Sequence, residues 1–430
     1  MAFLLAITVG TILLVLPVSR EGSDAAPVLT ALFTAVSATC VTGLVTVDTE
    51  SYWSGFGEVV ITVLIQVGGF GIMTMASLLG LLVVGRMRLR GRLVAQAETK
   101  TLGLGGVRQI VVRIAIITIV VELVMAVILT GRFWLHYDYA FSDAVWHGIF
   151  HSVSAFNNAG FALYPDSLES FATDPLVTMP ISVAVIIGGL GFPVVVELAR
   201  KVARPSKWSV HTKITLLGTA ILLVIGFVSF LALEWDNAKT LGPMAVIDKV
   251  QSAWFSGVMP RTAGFNSLPV ADMNTETWAI TDALMFIGGG SAGTAGGIKV
   301  ATFFLLAFVI WAEIRGETQV PFFGRSLSSG VQRQAITVAL LGVGIVASAT
   351  VALLVLTDFP SDQVVFEVIS AFATVGLSTG ITADLPESAE LVIIVLMYTG
   401  RVGTITVAAA LALRTRHRRY RLPEERPIVG

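Results

Sequence analysis

The sequence predicts an all-α membrane protein in which four similar units, each a helix, a pore loop and a second helix, stand pseudo-fourfold around a central pore. Three observations carry that expectation. The 430 residues are 55% hydrophobic and 13% charged, with a mean hydropathy of +0.82, whereas a soluble domain carries about 25% charged residues. A short polar stretch ending in glycine recurs at Gly43, Gly160, Gly264 and Gly376, with gaps of 117, 104 and 112 residues. Each stretch follows an apolar run too short to cross a bilayer, at about 28–38, 141–156, 245–257 and 362–372.

Long apolar stretches near 2–18, 57–85, 109–131, 175–199, 213–234, 278–312, 333–357 and 389–413 predict eight spans, each later one reaching the roughly 20 residues a spanning helix needs. The first is short. It lacks the basic start and cleavage site of a signal peptide. A single cysteine, Cys40, excludes an intrachain disulfide.

Charge orients the spans. Twenty-one of the 28 lysines and arginines fall in 86–113, 200–213, 315–333 and the tail after 413, while the intervening loops carry acids such as Asp48, Asp166, Asp272 and Asp384. Basic loops stay in the cytoplasm, so both termini are expected there and all four glycine stretches on the outer side. The units read as 1–86, 109–200, 213–315 and 333–413. Cytoplasmic linkers at 87–108, 201–212 and 316–332 join them, and a basic tail follows at 414–430. The outer acids would attract cations, or simply be solvated.

Each short run reads as a re-entrant helix. Irregular backbone at membrane depth survives only when buried in protein or lining water. Glycine lets such backbone turn its carbonyls toward an axis, and rings of carbonyls replace a cation's hydration shell. A second repeat supports the first. Small-residue clusters at 68–71, 188–191, 288–290 and 400–403 follow each glycine by 24 to 28 residues. They are expected to break the second helix of each unit. Close helix packing alone explains one such cluster, but not four in register.

The third unit continues as a run of Gly, Ser, Ala and Thr through 288–299, which cannot be a stable helix interior. It is read as a mid-membrane gate. A P-loop is excluded because Lys299 lacks the following Ser or Thr. Lys299 and Arg401 are charges at membrane depth, where a cation costs about 2.5–3.5 kcal/mol and is functional by default. Arg401 takes the position of Gly69 and Gly189 and is expected to form an electrostatic step below the glycine ring; a salt bridge or a snorkelling side chain is the plainer alternative.

The stretches Val-Thr-Gly-Leu, Phe-Asn-Asn-Ala-Gly-Phe, Pro-Arg-Thr-Ala-Gly-Phe-Asn and Thr-Val-Gly-Leu-Ser-Thr-Gly resemble the four filters of the Trk/Ktr/HKT cation transporter superfamily, over nearly the whole chain. The eight-span layout, without the extra N-terminal helix pair of the TrkH type, is most like the KtrB type, the membrane subunit of the Ktr system. The resemblance implies potassium uptake across a bacterial plasma membrane, with K+ as the transported ion and Na+ as a candidate coupling or activating ion. It implies a homodimer with one pore per protomer, and a cytoplasmic RCK-type nucleotide-binding ring (KtrA-like) as regulator. By the same resemblance potassium is held by the backbone of Val41, Thr42, Gly43 and Leu44, of Asn158, Ala159, Gly160 and Phe161, of Thr262, Ala263, Gly264 and Phe265, and of Thr374, Val375, Gly376 and Leu377. Four glycines go with potassium selectivity; a serine in the first filter favours sodium. The gate is assigned to Gly288, Gly289, Gly290, Ser291, Gly293, Thr294, Gly296, Gly297 and Lys299, with Arg401 as the pore arginine.

Other signals are weaker. His147 and His151 share one face of the second re-entrant helix but lack a third metal ligand, so packing is expected. Cys40 reads as a small packing residue. Glu122 and Glu197, in or near spans, read as hydrogen-bonded helix groups or as a coupling-ion site. The basic tail suits anionic lipid, and no nucleic-acid partner is expected. Nothing supports an enzyme, since no nucleophile–base set, metal cluster or paired intramembrane acids occur. A sodium-selective or weakly selective transporter of the same fold is the alternative function. An alternating-access carrier would usually have inverted repeats, whereas these four units run in parallel sense.

Overall fold

Where apolar residues run on without a polar interruption, the chain forms long helices. In the computed structural model, which describes residues 2–22, 24–85, 104–317, 319–322 and 325–403, these are α3 (Gly55–Gly85), α4 (Leu104–His136), α8 (Val210–Leu233) and α12 (Ser329–Leu356). Among the described residues these four are long and apolar enough to cross a membrane by themselves. The basic tail and the end of the fourth unit lie outside the described residues, as does most of the first linker.

The other expected spans are shorter or interrupted. α1 (Ala2–Val15) is 14 residues long. α6 (Pro175–Leu190) and α7 (Phe192–Lys201) make one bent span, turning by 102° at Gly191, whose φ of 92° is open to glycine. α10 (Thr275–Phe286) and α11 (Val300–Ile314) flank the loop 288–299. α14 (Glu387–Tyr398) passes into a π-helical turn, Thr399–Gly403. The expectation that every small-residue cluster breaks its helix fails in the first unit, because α3 runs unbroken through 68–71. The glycines there serve close approach. A Cβ on Gly68 would stand 2.0 Å from the Thr39 carbonyl oxygen.

The four short runs form helices α2 (Val28–Cys40), α5 (Phe141–Asn157), α9 (Val246–Val258) and α13 (Ser361–Ala373), each ending just ahead of its glycine. Proline starts two of them, at Pro27 and Pro360. The only paired strands among the described residues are Pro321–Phe322 and Arg325–Ser326, a two-residue antiparallel ladder in the linker before α12. The fold is otherwise helical.

The apolar core is divided by the units. Trp53, Ile61 and Leu64 pack with Phe150 and Phe161, joining unit one to unit two. Leu129, Phe133 and Val185 pack with Phe255 and Phe265, joining two to three. Phe230 and Met285 pack with Phe366 and Val375, joining three to four. Phe33 and Cys40 pack with Phe372, Ile393 and Met397, joining four to one. Each unit therefore buries its apolar faces against its two neighbours. Within a bilayer such packing is stabilised by close van der Waals contact rather than by removal of the side chains from water.

Polar anchors hold the helix ends. Asp174 caps α6 through the Leu176 amide and takes the Arg132 guanidinium at 2.7 Å and the Tyr137 hydroxyl at 2.9 Å. Glu234, fully buried, accepts from Asn237 and Thr240 at 2.6 Å, from the Asn274 amide at 2.9 Å and from Thr277. A buried carboxylate is tolerated when its lone pairs are filled in this way.

Candidate functional site

The four short helices α2, α5, α9 and α13 hand over to their loops with the same backbone. Two positions ahead of each glycine the chain turns left-handed, with φ of 56° at Val41, 59° at Asn158, 71° at Thr262 and 51° at Thr374. The glycines follow at 94°, 72°, 74° and 96°. Val41, Thr262 and Thr374 are β-branched, for which positive φ is a true outlier, and each costs about 1–2 kcal/mol. Strain repeated at three equivalent positions marks a site where the surroundings dictate the backbone.

Hydrogen bonds hold these turns. In units one, two and four the left-handed residue and its successor donate back to the helix in the Schellman pattern: Val41 to Ala38 and Thr42 to Ser37, Asn158 to Ala155 and Ala159 to Ser154, Thr374 to Ala371 and Val375 to Ser370. A serine six positions before the glycine ties down the loop. Ser37 Oγ donates to the Leu44 carbonyl at 2.7 Å and accepts from the Gly43 amide at 3.1 Å. Ser154 Oγ donates to the Phe161 carbonyl at 2.8 Å, and Ser370 Oγ accepts from the Gly376 amide at 3.1 Å. The third unit has Val258 here, and its Ala263 amide reaches the Met259 carbonyl at 3.0 Å instead. The role of these serines was missed from sequence, although a Ser-Ala pair opens three of the four stretches.

The loops then meet one another in order. A Cβ on Gly43 would stand 2.3 Å from the Ala159 oxygen, one on Gly160 2.7 Å from the Ala263 oxygen, one on Gly264 2.4 Å from the Val375 oxygen and one on Gly376 2.1 Å from the Thr42 oxygen. Each glycine also faces the Cα of the next, at 2.9–3.1 Å from the built Cβ. The contacts close a cycle through all four units. No side chain fits at any of the four positions, for reasons of space as well as φ.

Against this ring the loop 288–299 folds on itself. Gly288 donates to Ile298 at 3.0 Å, Ile298 to Phe286 at 3.1 Å, and the Lys299 ammonium to the Ala295 and Gly296 carbonyls at 2.6 and 3.1 Å. It also reaches three units. Gly290 and Thr294 donate to Gly189 and Gly188 of α6 at 2.7 and 3.1 Å, and the Gly296 amide donates to Thr262 Oγ1 at 3.2 Å. Ser291 and Gly293 pack against Gly191 at the bend of α6. Arg401, 2% exposed, donates through Nη1 to the Thr294 carbonyl. Among the described residues its Nε and Nη2 have no partner.

Thr294 links this loop to the second glycine loop. Its hydroxyl lies 2.8 Å from the Asn158 carboxamide; with Nδ2 turned that way, Asn158 also donates to the Val185 and Phe156 carbonyls at 3.3 Å. The structure thus brings the sequence-assigned gate residues and Arg401 together in contact with the assigned loop residues. Among the described residues the ion pairs are Arg132–Asp174, Lys201–Glu197 and Lys239–Asp272, and none involves Arg401 or Lys299. A further buried cation, Arg261 in the third loop, donates to the Thr219 carbonyl and hydroxyl at 3.3 and 3.4 Å. It was not singled out from sequence, although it stands inside the Pro-Arg-Thr-Ala-Gly stretch.

The weaker signals resolve into packing and caps. His151 Nδ1 lies 2.8 Å from the His147 carbonyl and its Nε2 accepts from the Leu163 amide at 3.2 Å; His147 Nδ1 lies 3.0 Å from the Tyr164 hydroxyl. Both rings pack edge-on to Phe133. Cys40 is fully buried as the last residue of α2. Glu197 accepts from Ser209, Thr212 and Lys201, fastening α7 to the start of α8.

Comparison with known proteins places this geometry. The family model described as "TrkH: Cation transport protein" matches residues 2–417. The chain is 39% identical over 428 residues to the Ktr system potassium uptake protein B of Bacillus subtilis (strain 168), covering 100% of this chain and 95% of that one. It is 36% identical to the Ktr system potassium uptake protein B of Vibrio alginolyticus, covering 100% and 94%, and 35% identical to the potassium/sodium uptake protein NtpJ of Enterococcus hirae, covering 100% and 95%. The solved structure of the potassium transporter TrkH from Vibrio parahaemolyticus shares the fold, with a TM-score of 0.70 at 20% identity over 96% of this chain and 84% of that one. The chain belongs to the TrkH family of cation transport proteins.

Proposed function

We propose that this chain is the membrane subunit of a Ktr-type potassium uptake system, and that K+ crosses at the ring of four glycine loops along a pseudo-fourfold axis. The observation that carries the reading is the closed cycle of contacts among Gly43, Gly160, Gly264 and Gly376, each at positive φ and each without room for a side chain. Backbone carbonyls held in such a ring can replace water around a dehydrated cation. The left-handed turns are strained and tightly hydrogen-bonded, so the ring's dimensions resist collapse onto a smaller ion.

The loop 288–299 with Arg401 is the gate in this reading. In this reading Arg401 lies on the inner side of the ring, and the C-terminal end of α13, which the neighbouring Gly400 touches, offsets its buried guanidinium with partial negative charge. Moving the loop must break its bonds to α6, Thr262 and Arg401 together, which makes a two-state barrier. A cytoplasmic RCK-type ring acting on the loop through α11 would open it. We assign the protein to a bacterial plasma membrane, with both termini cytoplasmic, as a homodimer with one pore in each protomer. The eight expected spans are then four continuous helices, α1, the bent α6–α7, the broken α10–α11, and one that begins with α14 and its π-helical turn. Sodium enters as a coupling ion or second cargo; one relative at 35% identity is named for uptake of both ions.

Uptake of Rb+ or K+ in a bacterial strain lacking its own potassium systems tests the reading. Expression with its regulatory subunit should restore growth at low potassium. Absence of rescue with the protein present in the membrane would overturn it.

A further inference from the structure

Away from the ring, between units one and two, lies a polar cluster that the proposed pathway does not use. Glu122 is 9% exposed and stands near the middle of α4. Gln66 of α3 donates to Glu122 Oε2 at 3.3 Å, and Asn157, the fully buried last residue of α5, donates through Nδ2 to Glu122 Oε1 at 3.1 Å and to Gln66 Oε1 at 2.8 Å. Among the described residues no lysine, arginine or histidine pairs with Glu122. Asn157 Oδ1 is buried with no hydrogen-bond partner among the described residues. The space it fills exists because residue 69 is glycine, since a Cβ there would stand 1.9 Å from Oδ1.

A carboxyl group in the apolar layer takes either a proton or a counter-charge, and the amides around Glu122 supply only dipoles. Two groups, the Glu122 carboxylate and Gln66 Oε1, accept from Asn157 Nδ2, which also reaches the Val153 carbonyl at 3.0 Å, and turning that carboxamide over would bring a third oxygen, Oδ1, to them. Hard oxygen donors suit alkali and alkaline-earth cations, and a single negative charge matches a monovalent one. The other charged or titratable groups on the packed elements are engaged elsewhere or distant. Glu58 of α3 accepts from Trp146, His147 and His151 are hydrogen-bonded on α5, Arg132 pairs with Asp174, and Arg113 lies nine residues along α4, about 14 Å away.

We propose that Glu122, Gln66 and Asn157 form an off-axis site for a small monovalent cation, with sodium as the ion that fits so compact a set. Asn157 directly precedes left-handed Asn158, so occupancy would steady the second glycine loop. That consequence, though not the site itself, rests on the ring being the potassium pathway.

The test is thermal unfolding of the detergent-purified full chain in NaCl, KCl or choline chloride at one ionic strength. Sodium over choline should raise Tm saturably in the wild type. Glu122→Gln should abolish that rise while keeping the response to potassium. Glu122→Asp should shift the sodium midpoint upward by roughly tenfold or more, the scale on which lost metal-site contacts act. An absent sodium response in the wild type, or an unchanged one in Glu122→Gln, would overturn the site. Should Glu122→Gln fail to fold, an unshifted midpoint in Glu122→Asp would do so. A lost potassium response with sodium binding intact would count against the ring and leave this site standing.

Discussion

Replacing Gly43 by alanine puts one methyl group where the ring has no space for it. The new Cβ would stand 2.3 Å from the Ala159 carbonyl oxygen and 3.1 Å from Gly160 Cα, and real Cβ contacts below 3.0 Å are essentially unknown. Ala159 must therefore retreat by about 0.7 Å. The φ of 94° adds about 1–2 kcal/mol of backbone strain for an L-residue, and overpacking a closed core adds about 1–3 kcal/mol. The combined cost of about 2–5 kcal/mol falls on the ring, because the rest of α2 is unchanged. If even about 1.4 kcal/mol of it opposes ion binding, affinity drops tenfold. Rb+ uptake in a potassium-uptake-deficient strain, with and without competing Na+ and with membrane abundance measured, is the assay. Uptake should fall at least about tenfold and Na+ should compete better. Wild-type uptake with wild-type discrimination would refute the reasoning.

Three further outcomes are expected. Within one cluster, Gly68→Ala should destabilise by about 1–3 kcal/mol, whereas Gly71→Ala, whose Cβ meets only Phe3 at 3.8 Å, should change Tm little; equal effects would contradict the close-approach role. Arg401→Ala removes the side-chain donor to the Thr294 carbonyl and should raise leak flux and alter its voltage dependence, read by flux into liposomes at set potentials. In the loop ahead of α6, burial pushes the Glu169 carboxyl up to about 7, helped by Asp166 and Asp272 and opposed by the hydrogen bond from Asn266. A raised carboxyl pKa means the folded state holds the extra proton between about pH 4.5 and 7, so this group's contribution to stability declines as pH rises through that window. Glu169→Gln should be more stable than the wild type at pH 8 and no more stable at pH 4, by Tm.

Much of this layout was legible beforehand because the features that encode it are local. The re-entrant helices are short apolar runs bounded by proline or acids and by a glycine, and their observed ends differ from expectation by only a few residues. The loop 288–299 was visible because small residues cannot sustain a helix. What escaped depends on partners distant in sequence. Gly68 and Gly69 suggested a break by propensity, yet α3 continues because Thr39 and Asn157 pack against it. Left-handed Val41, Thr262 and Thr374 defy their own preferences and are held by bonds to the helix behind and by the next unit's loop. The bend in unit two falls at Gly191, where the backbone of the loop 288–299 presses on it. The cyclic order of the four loops likewise belongs to tertiary packing.

The most direct test is the position of the ion itself. A crystal structure of the full chain grown in RbCl should give anomalous density inside the ring bounded by Gly43, Gly160, Gly264 and Gly376, and Gly43→Ala should lose it. Density confined to other parts of the molecule, or an empty ring with rubidium bound elsewhere along the chain, would contradict potassium passage through these four loops.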